Sequence, residues 1–310
     1  MGAQQRILRQ KIKATESTKK ITRAMELIAA SRIIKATEAV KATQPYARSL
    51  TRALTLAASH AQVDHPLLTP HEDPKRAAVL IITADRGLAG AYSSNAIKEA
   101  ERLSKNLRER GVTPVAYIVG KKGVSFYKFR DRPIADSWVG MTDKPKYDDA
   151  KAFADELIPA FLAGQEEGGV DEIHMVYTHF INRGTQEPRV IRMVPLEVVE
   201  EAVDTTSSHI TGGDEEGGAA AWPLYDFEPD ATKTLDALLP VYVTHLIHVG
   251  LLQSAASEHA ARQRAMKSAT DNAEALVKKY VQQANQARQA EITQEISEIV
   301  GGADALSSAS

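Results

Sequence analysis

Hydrophobic and polar positions fall into two long helical patterns that flank a region of shorter, strand-like runs. From Leu251 to Val300 there is no glycine and no proline. Such a run predicts one helix of about 50 residues, roughly 75 Å long at 1.5 Å per residue, well beyond the usual three or four turns. Its core-forming positions keep a heptad spacing: Val249, Leu252, Ala256, His259, Gln263, Met266, Thr270, Ala273, Val277, Tyr280, Ala284 and Ala287. A 3.5-residue period points to a coiled-coil seam, the plainer reading being an ordinary long helix in a bundle. Many of these residues are small or polar, so the helix must pack closely on its partner or face something other than a dry core. Ala3 to Gln44 also lacks glycine and proline and predicts a helix of about 42 residues, roughly 63 Å. Apolar residues recur there at Ile7, Ala14, Ile21 and Ile28, with Met25 and Leu27 beside them. Pro45 lacks a backbone N–H and is expected to kink this helix, which Tyr46 to Ser59 then extends. The economical arrangement lays the two long helices side by side and antiparallel, with Thr69 to Ala231 inserted at one end.

Between them the pattern changes. Val63 to Asp73, with Pro66 and Pro70, reads as a linker. Ala77 to Thr83 is a continuous aliphatic run, as buried parallel strands tend to be. A glycine-bearing turn follows, Ala84 to Gly90, then a helix from Ser93 to Arg110 and a second strand from Pro114 to Val119. Strand, turn, helix, strand is a βαβ unit. Lys121 to Arg130 reads as a short helix, Ile134 to Val139 as a third strand and Asp148 to Ala163 as a helix. Glu172 to Phe180 and Val190 to Val199 read as paired strands joined through the turn signal Asn182-Arg-Gly184. The fold class expected is thus mixed α+β and α/β: a long antiparallel coiled coil of N- and C-terminal helices with an inserted Rossmann-like α/β domain. The expected divisions are 1–60, the first coiled-coil helix; 74–199, the α/β domain; 200–230, an acidic loop; and 231–310, the second coiled-coil helix.

Composition narrows the function. Three hundred and ten residues make one large domain or two moderate ones. With no cysteine there is no disulfide, thiolate metal site or thiol nucleophile, which fits a reducing compartment. No apolar run approaches the ~18 residues that span a bilayer. The basic, acid-poor start resembles a transit peptide, but the helical pattern runs on far past it. Net charge is −2, unevenly spread. From Met1 to Arg52 there are twelve Lys or Arg against three Asp or Glu, a net of +9. A basic helix meets nucleic acid, an anionic membrane or an acidic protein surface, or is simply a solvated face. The absence of interleaved aromatic residues argues against single-stranded nucleic acid. Between Met193 and Thr232 there is no Lys or Arg, and acids gather around Gly212-Gly-Asp-Glu-Glu-Gly-Gly218, which reads as a flexible acidic loop. Asp230 is placed to cap the helix after it, and Pro240 is a second candidate kink.

Candidate chemistry is sparse. The turn Asp85-Arg-Gly-Leu-Ala-Gly90 sits between strand and helix, where a phosphate loop belongs. It has only Gly87 and Gly90 and matches neither GxGxxG nor GxxxxGK[ST], so a plain structural turn is the better reading. His245 and His248 lie i, i+3 on a helix, with His259 three turns on. Without cysteine or HExxH they read as packing or surface groups, not metal ligands. No Ser/His/Asp spacing stands out. Long helices with no active site point to a mechanical or assembly role. No catalytic residue, cofactor or metal is expected.

Three stretches are more specific: KITRAMELIAASR (Lys20 to Arg32), ITADRGLAGAYSSN (Ile82 to Asn95), and SEHAARQRAMKSATDNA with QARQAEITQEISEIVGGADAL (Ser257 to Ala273 and Gln286 to Leu306). Together they resemble the gamma subunit of the bacterial F-type ATP synthase, over essentially the whole chain; the acidic loop is its least family-like part. The resemblance implies a central rotor shaft that couples transmembrane proton flow to ATP synthesis. It implies three alpha and three beta subunits around the shaft, with epsilon, delta and a ring of c subunits as further partners. It places the chain on the cytoplasmic face of the cell membrane, held there indirectly through the c ring, and leaves catalysis to beta. Residue by residue it implies contacts with beta at Met25, Arg262, Arg288, Gln289, Thr293 and Glu295, and a bearing of apolar tip residues at Ile292, Ile296, Ile299 and Val300. A coiled-coil scaffold, or a nucleic-acid-binding protein with a Rossmann-like domain, is the alternative reading.

Overall fold

The computed structural model describes residues 3–60, 65–163, 165, 167–196 and 230–308. The acidic loop expected at 200–230 therefore lies outside the described residues, except for Asp230. The elements run in the order α1 (Ala3–His60), β1 (Arg76–Ile82), α2 (Tyr92–Glu109), β2 (Thr113–Val119), α3 (Lys121–Phe129), β3 (Asp136–Trp138), α4 (Tyr147–Leu162), β4 (Glu172–Phe180), β5 (Gln186–Val194) and α5 (Ala231–Ser308). Both long helices exceed the expected glycine- and proline-free runs: each continues through its proline, Pro45 in α1 and Pro240 in α5, and α5 also passes Gly250 and Gly301. A helix passes a proline at the loss of one backbone bond; the Thr244 hydroxyl donates to the Pro240 carbonyl at 2.8 Å beside the break. Asp230 caps α5 as expected, its Oδ1 accepting from the Lys233 amide at 2.8 Å. The chain divides into two compact units, one of Met1–Ile28 with Gln263–Ser310 and one of Ala29–Arg262.

The first unit is an antiparallel helix pair. The direction is read from the contacts, whose partners climb α1 while descending α5. Gln5 Nε2 donates to Glu291 Oε2 at 2.8 Å, Lys19 Nζ pairs with Glu274 at 3.1 Å, and the Thr22 and Thr270 hydroxyls lie 2.8 Å apart. On α5 the expected heptad positions from Gln263 to Ala287 are all covered, with Ala265, Ala269 and Glu274 beside them. On α1 the covered set is Gln5, Leu8, Ile12, Thr15, Lys19, Thr22, Met25 and Glu26, all but Met25 at heptad spacing. The apolar recurrence at Ile7, Ala14, Ile21 and Ile28 is a different stripe, and it is exposed: Ile7 53%, Ile21 61%, Ile28 53%. The seam of α1 is thus largely polar, and its most apolar heptad faces away from α5.

The second unit is a five-stranded sheet in the order β3-β2-β1-β4-β5. The pairs β3–β2, β2–β1 and β1–β4 are parallel, and β4–β5 is antiparallel. β5 begins earlier than the pattern indicated and ends at Val194; its expected end at Val199 lies outside the described residues. One face of the sheet packs on α2 and α3 through Ala100, Leu107 and Tyr127 against Ala77, Val79, Ile81 and Ile118. The other face packs on α4, on the Leu50–Ala57 part of α1 and on the Leu235–Leu251 part of α5. A sheet covered on both faces explains the unbroken aliphatic run of β1.

β4 is longer than its parallel neighbour, whose register stops at Val176. Beyond that point α5 side chains take over. The Thr178 amide donates to Ser254 Oγ at 3.1 Å, Ser257 Oγ donates to the Thr178 carbonyl at 3.0 Å, and the Phe180 amide donates to Gln253 Oε1 at 3.0 Å. Polar residues on a fully buried helix here complete a sheet edge that would otherwise be unsatisfied.

Candidate functional site

The glycine-bearing turn after β1 is built by its own carboxylate. Asp85 Oδ1 accepts from the Lys121 amide at 3.1 Å, and Oδ2 accepts from the Gly140 amide at 2.8 Å and the Thr142 amide at 3.1 Å. The Asp85 amide in turn donates to Thr142 Oγ1 at 3.0 Å. The Asp85 carboxylate thus ties the turn to the start of α3 and to the Gly140–Thr142 segment. Behind the turn, the Thr83 hydroxyl donates to the Val119 carbonyl at 2.8 Å and accepts from the Gly123 amide at 2.9 Å. A Cβ at Gly120, where φ is +96°, would lie 2.4 Å from the Thr83 carbonyl oxygen, so only glycine serves there. The tip of the turn points outward, with Leu88 60% exposed and in the left-handed region at φ 64°.

Beneath it lies an ion cluster, buried at Glu258 and Arg262 and open to solvent at Arg32 and Arg86. Arg262 Nη2 donates to Glu258 Oε1 at 2.5 Å, one helical turn back on α5. Asp143 pairs with Arg32 at 3.0 Å and with Arg86 at 3.1 Å, and lies 3.7 Å from Arg262. His259 donates from Nε2 to the Asp143 carbonyl at 3.1 Å, which leaves Nδ1 to accept from Arg262 at 3.4 Å. Burial pushes the Glu258 carboxyl up, against the pull of Arg262, and pushes His259 down. Tyr92, packed beside Glu258 and Ser254, is held neutral by burial.

The six residues expected to touch a partner do not share one environment. Arg288, Gln289, Thr293 and Glu295 are exposed on α5, and Met25 is half-buried on α1. Arg262 is only 7% exposed and is committed to Glu258 and Asp143 within its own unit. The resemblance implied an Arg262 contact with beta; the structure holds this guanidinium against Glu258 and Asp143 of its own unit, on a face of α5 that the motif alone does not reveal. Two of the three histidines pack on aromatic rings, His245 edge-on to Tyr46 at 5.0 Å and His248 edge-on to Tyr147 at 5.5 Å, whereas His259 belongs to the ion cluster. Sequence reasoning missed Asp85, Asp143 and Glu258. The i, i+4 spacing of Glu258 and Arg262 was a readable sign; Asp143 is remote in sequence and gave none.

Against the expectation of no such run, one stretch of α5 is apolar enough by length and composition to cross a bilayer. It is 61% buried inside the protein, as a core helix would be.

The ATP synthase family profile matches residues 4–306. The ATP synthase gamma chain of Kineococcus radiotolerans is 57% identical over 308 residues, covering 99% of this chain and 98% of that one. That of Thermobifida fusca is 57% identical over 310 residues, covering 100% and 99%. The chain belongs to the ATP synthase gamma chain family. In that complex it is the central rotor shaft, a non-catalytic subunit. Its fold is also that of a chain in the Euglena gracilis mitochondrial ATP synthase OSCP/F1/c-ring structure, with TM-score 0.64 at 14% identity over 99% of this chain and 95% of that one. A chain of the Tetrahymena thermophila mitochondrial central stalk and c-ring structure matches with TM-score 0.58 at 22% identity, covering 80% and 99%.

Proposed function

We propose that this chain turns inside a sleeve of three alpha and three beta subunits, driven through a c-subunit ring, with epsilon and delta as further partners, at the cytoplasmic face of the cell membrane. The observation that carries this reading is the outward apolar heptad of α1, Ile7, Ile21 and Ile28, set among the basic residues of the same helix. A helix pair in open water gains nothing by exposing such a stripe. A pair enclosed by other subunits has apolar surface to slide against and positive charge to meet acidic loops. The α5 tip repeats the pattern: Ile296, Ile299 and Val300 are exposed beyond the last covered seam residue.

Rotation biases a surrounding subunit only through contacts that differ between orientations. Arg288, Gln289, Thr293 and Glu295 are the groups proposed to make them, Arg288 as a charge-assisted donor to carboxylates of beta. Met25 is proposed to stand near a loop of beta, and Arg262 to act from within, by holding the turn that carries Arg86. By role, residues 1–60 and 231–310 form the shaft, 74–199 the α/β domain and 200–230 a connecting acidic segment.

Met25→Lys puts a long cation where the apolar side chain is half-buried. The complex containing it is expected to hydrolyse ATP while pumping fewer protons per ATP, with little change in the chain's unfolding midpoint; wild-type coupling would remove Met25 from the contact set. Arg288→Ala with Gln289→Ala is expected to weaken assembly with alpha and beta, read as native mass, while circular dichroism of the chain keeps its helicity. Lost helicity would make the pair structural.

A further inference from the structure

Asp143 gathers three arginines from three parts of the second unit. Oδ2 accepts from Arg32 Nη1 of α1 at 3.0 Å and from Arg86 Nε of the exposed turn at 3.1 Å. Oδ1 lies 3.7 Å from Arg262 Nη1 of α5. The backbone repeats the tie, because the Asp143 carbonyl accepts from His259 and the preceding residue, Thr142, holds Asp85. The apolar contact at this junction is small: Ala84, Ala89 and Tyr92, with Ala261 against them.

Two physical points bear on what such a cluster does. Apolar contact is non-directional and permits sliding, whereas the single N–H···O bonds that Arg32 and Arg86 each give to Oδ2, with the Arg262 charge facing Oδ1, fix direction. Such a cluster is also a poor source of net stability: water screens the exposed Arg32 and Arg86 pairs, and desolvation offsets most of the attraction of the buried Arg262. Three arginines on one carboxylate are therefore better explained by geometry than by stability. The element they hold is the outward tip, with Arg86 66% exposed along its side chain and Leu88 in a backbone conformation that persists only when its surroundings impose it.

We propose that Asp143 is a positioning residue for torque, fixing the exposed Arg86–Leu88 turn in register with both α1 and α5 so that load taken at the turn passes into the two helices together. The proposal rests on the rotor-shaft reading. Its test uses the whole ATP synthase in proteoliposomes, with ATP hydrolysis and ATP-driven proton uptake measured in the same vesicles. Asp143→Asn is expected to keep hydrolysis while proton uptake per ATP falls about fivefold, the low end of a coupling set by discrete contacts. Asp143→Glu is expected to recover part of the ratio. Arg32→Gln, which removes the α1 tie alone at a partly exposed position, is expected to lower the same ratio by less. A purely structural role lowers both rates together, so a wild-type ratio in Asp143→Asn and Arg32→Gln overturns the proposal. Should Asp143→Asn fail to assemble, Arg32→Gln decides alone. If complex carrying the wild-type chain drives no proton uptake with ATP, the rotor-shaft reading itself fails.

Discussion

Helix α5 passes through two environments. Residues 249–260 are all buried, whereas from 263 to 287 the covered residues are chiefly those of the heptad. In the first stretch polar groups are answered inside the protein: Ser254, Ser257 and Gln253 by β4, and Glu258 by Arg262. In the second, Thr270 meets Thr22 and Glu274 meets Lys19 along a narrow seam with water on its flanks. The same backbone geometry thus serves opposite ends. Where the helix is enclosed, one arrangement of side chains is specified and errors are costly. Where it is half-open, individual contacts are weak and most of the surface is left for other subunits.

The largest effect that tests this contrast is expected in the enclosed stretch. Arg262→Ala leaves the buried Glu258 and the half-buried Asp143 without their shared cation, and is expected to cost about 3–5 kcal/mol. Urea unfolding of the chain measures it. A loss below about 1 kcal/mol, the range of exposed pairs, would mean that this stretch is as forgiving as the seam.

Acid separates the stretches next. Burial, with His248 beside it, pushes His245 down to about 4. An unfolded histidine takes its proton near 6.5, so between that pH and about 4 the unfolded state binds more protons than the folded one. Stability from this group is complete above pH 6.5 and is lost as pH falls toward 4, by about 3 kcal/mol. His245 Nε2 has no hydrogen-bond partner among the described residues, so His245→Phe is expected to remove most of that acid loss. An unchanged pH profile in His245→Phe would assign the loss to other groups.

The smallest effect is expected in the seam. Thr270→Val removes the 2.8 Å hydroxyl contact with Thr22 and is expected to cost about 1 kcal/mol. Adding Thr22→Val is expected to recover most of it, because two apolar partners leave nothing unsatisfied. A double variant worse than the single one would show that the seam depends on this pair as the enclosed stretch depends on its own.

Much of this protein was determined by periodicity and short-range chemistry. Two long runs without glycine or proline, a heptad on α5, the βαβ start of the sheet and the Asp230 cap are local properties, set within a few residues, and they were legible. The motifs around Met25, Gly87 and Arg288 likewise carried the family. The tertiary structure decided what depends on residues far apart in the chain. It selected the polar heptad of α1 for the seam and turned the Ile7–Ile21–Ile28 stripe outward, because the face a helix covers is set by its partner as well as by its own apolar positions. It placed Arg262 inside rather than outside, because Asp143 and Glu258 enclose it there. It tied the glycine-bearing turn to α3 and to the Gly140–Thr142 segment through Asp85. Period fixes which residues of a helix share a face; only packing fixes which face is covered, and by what.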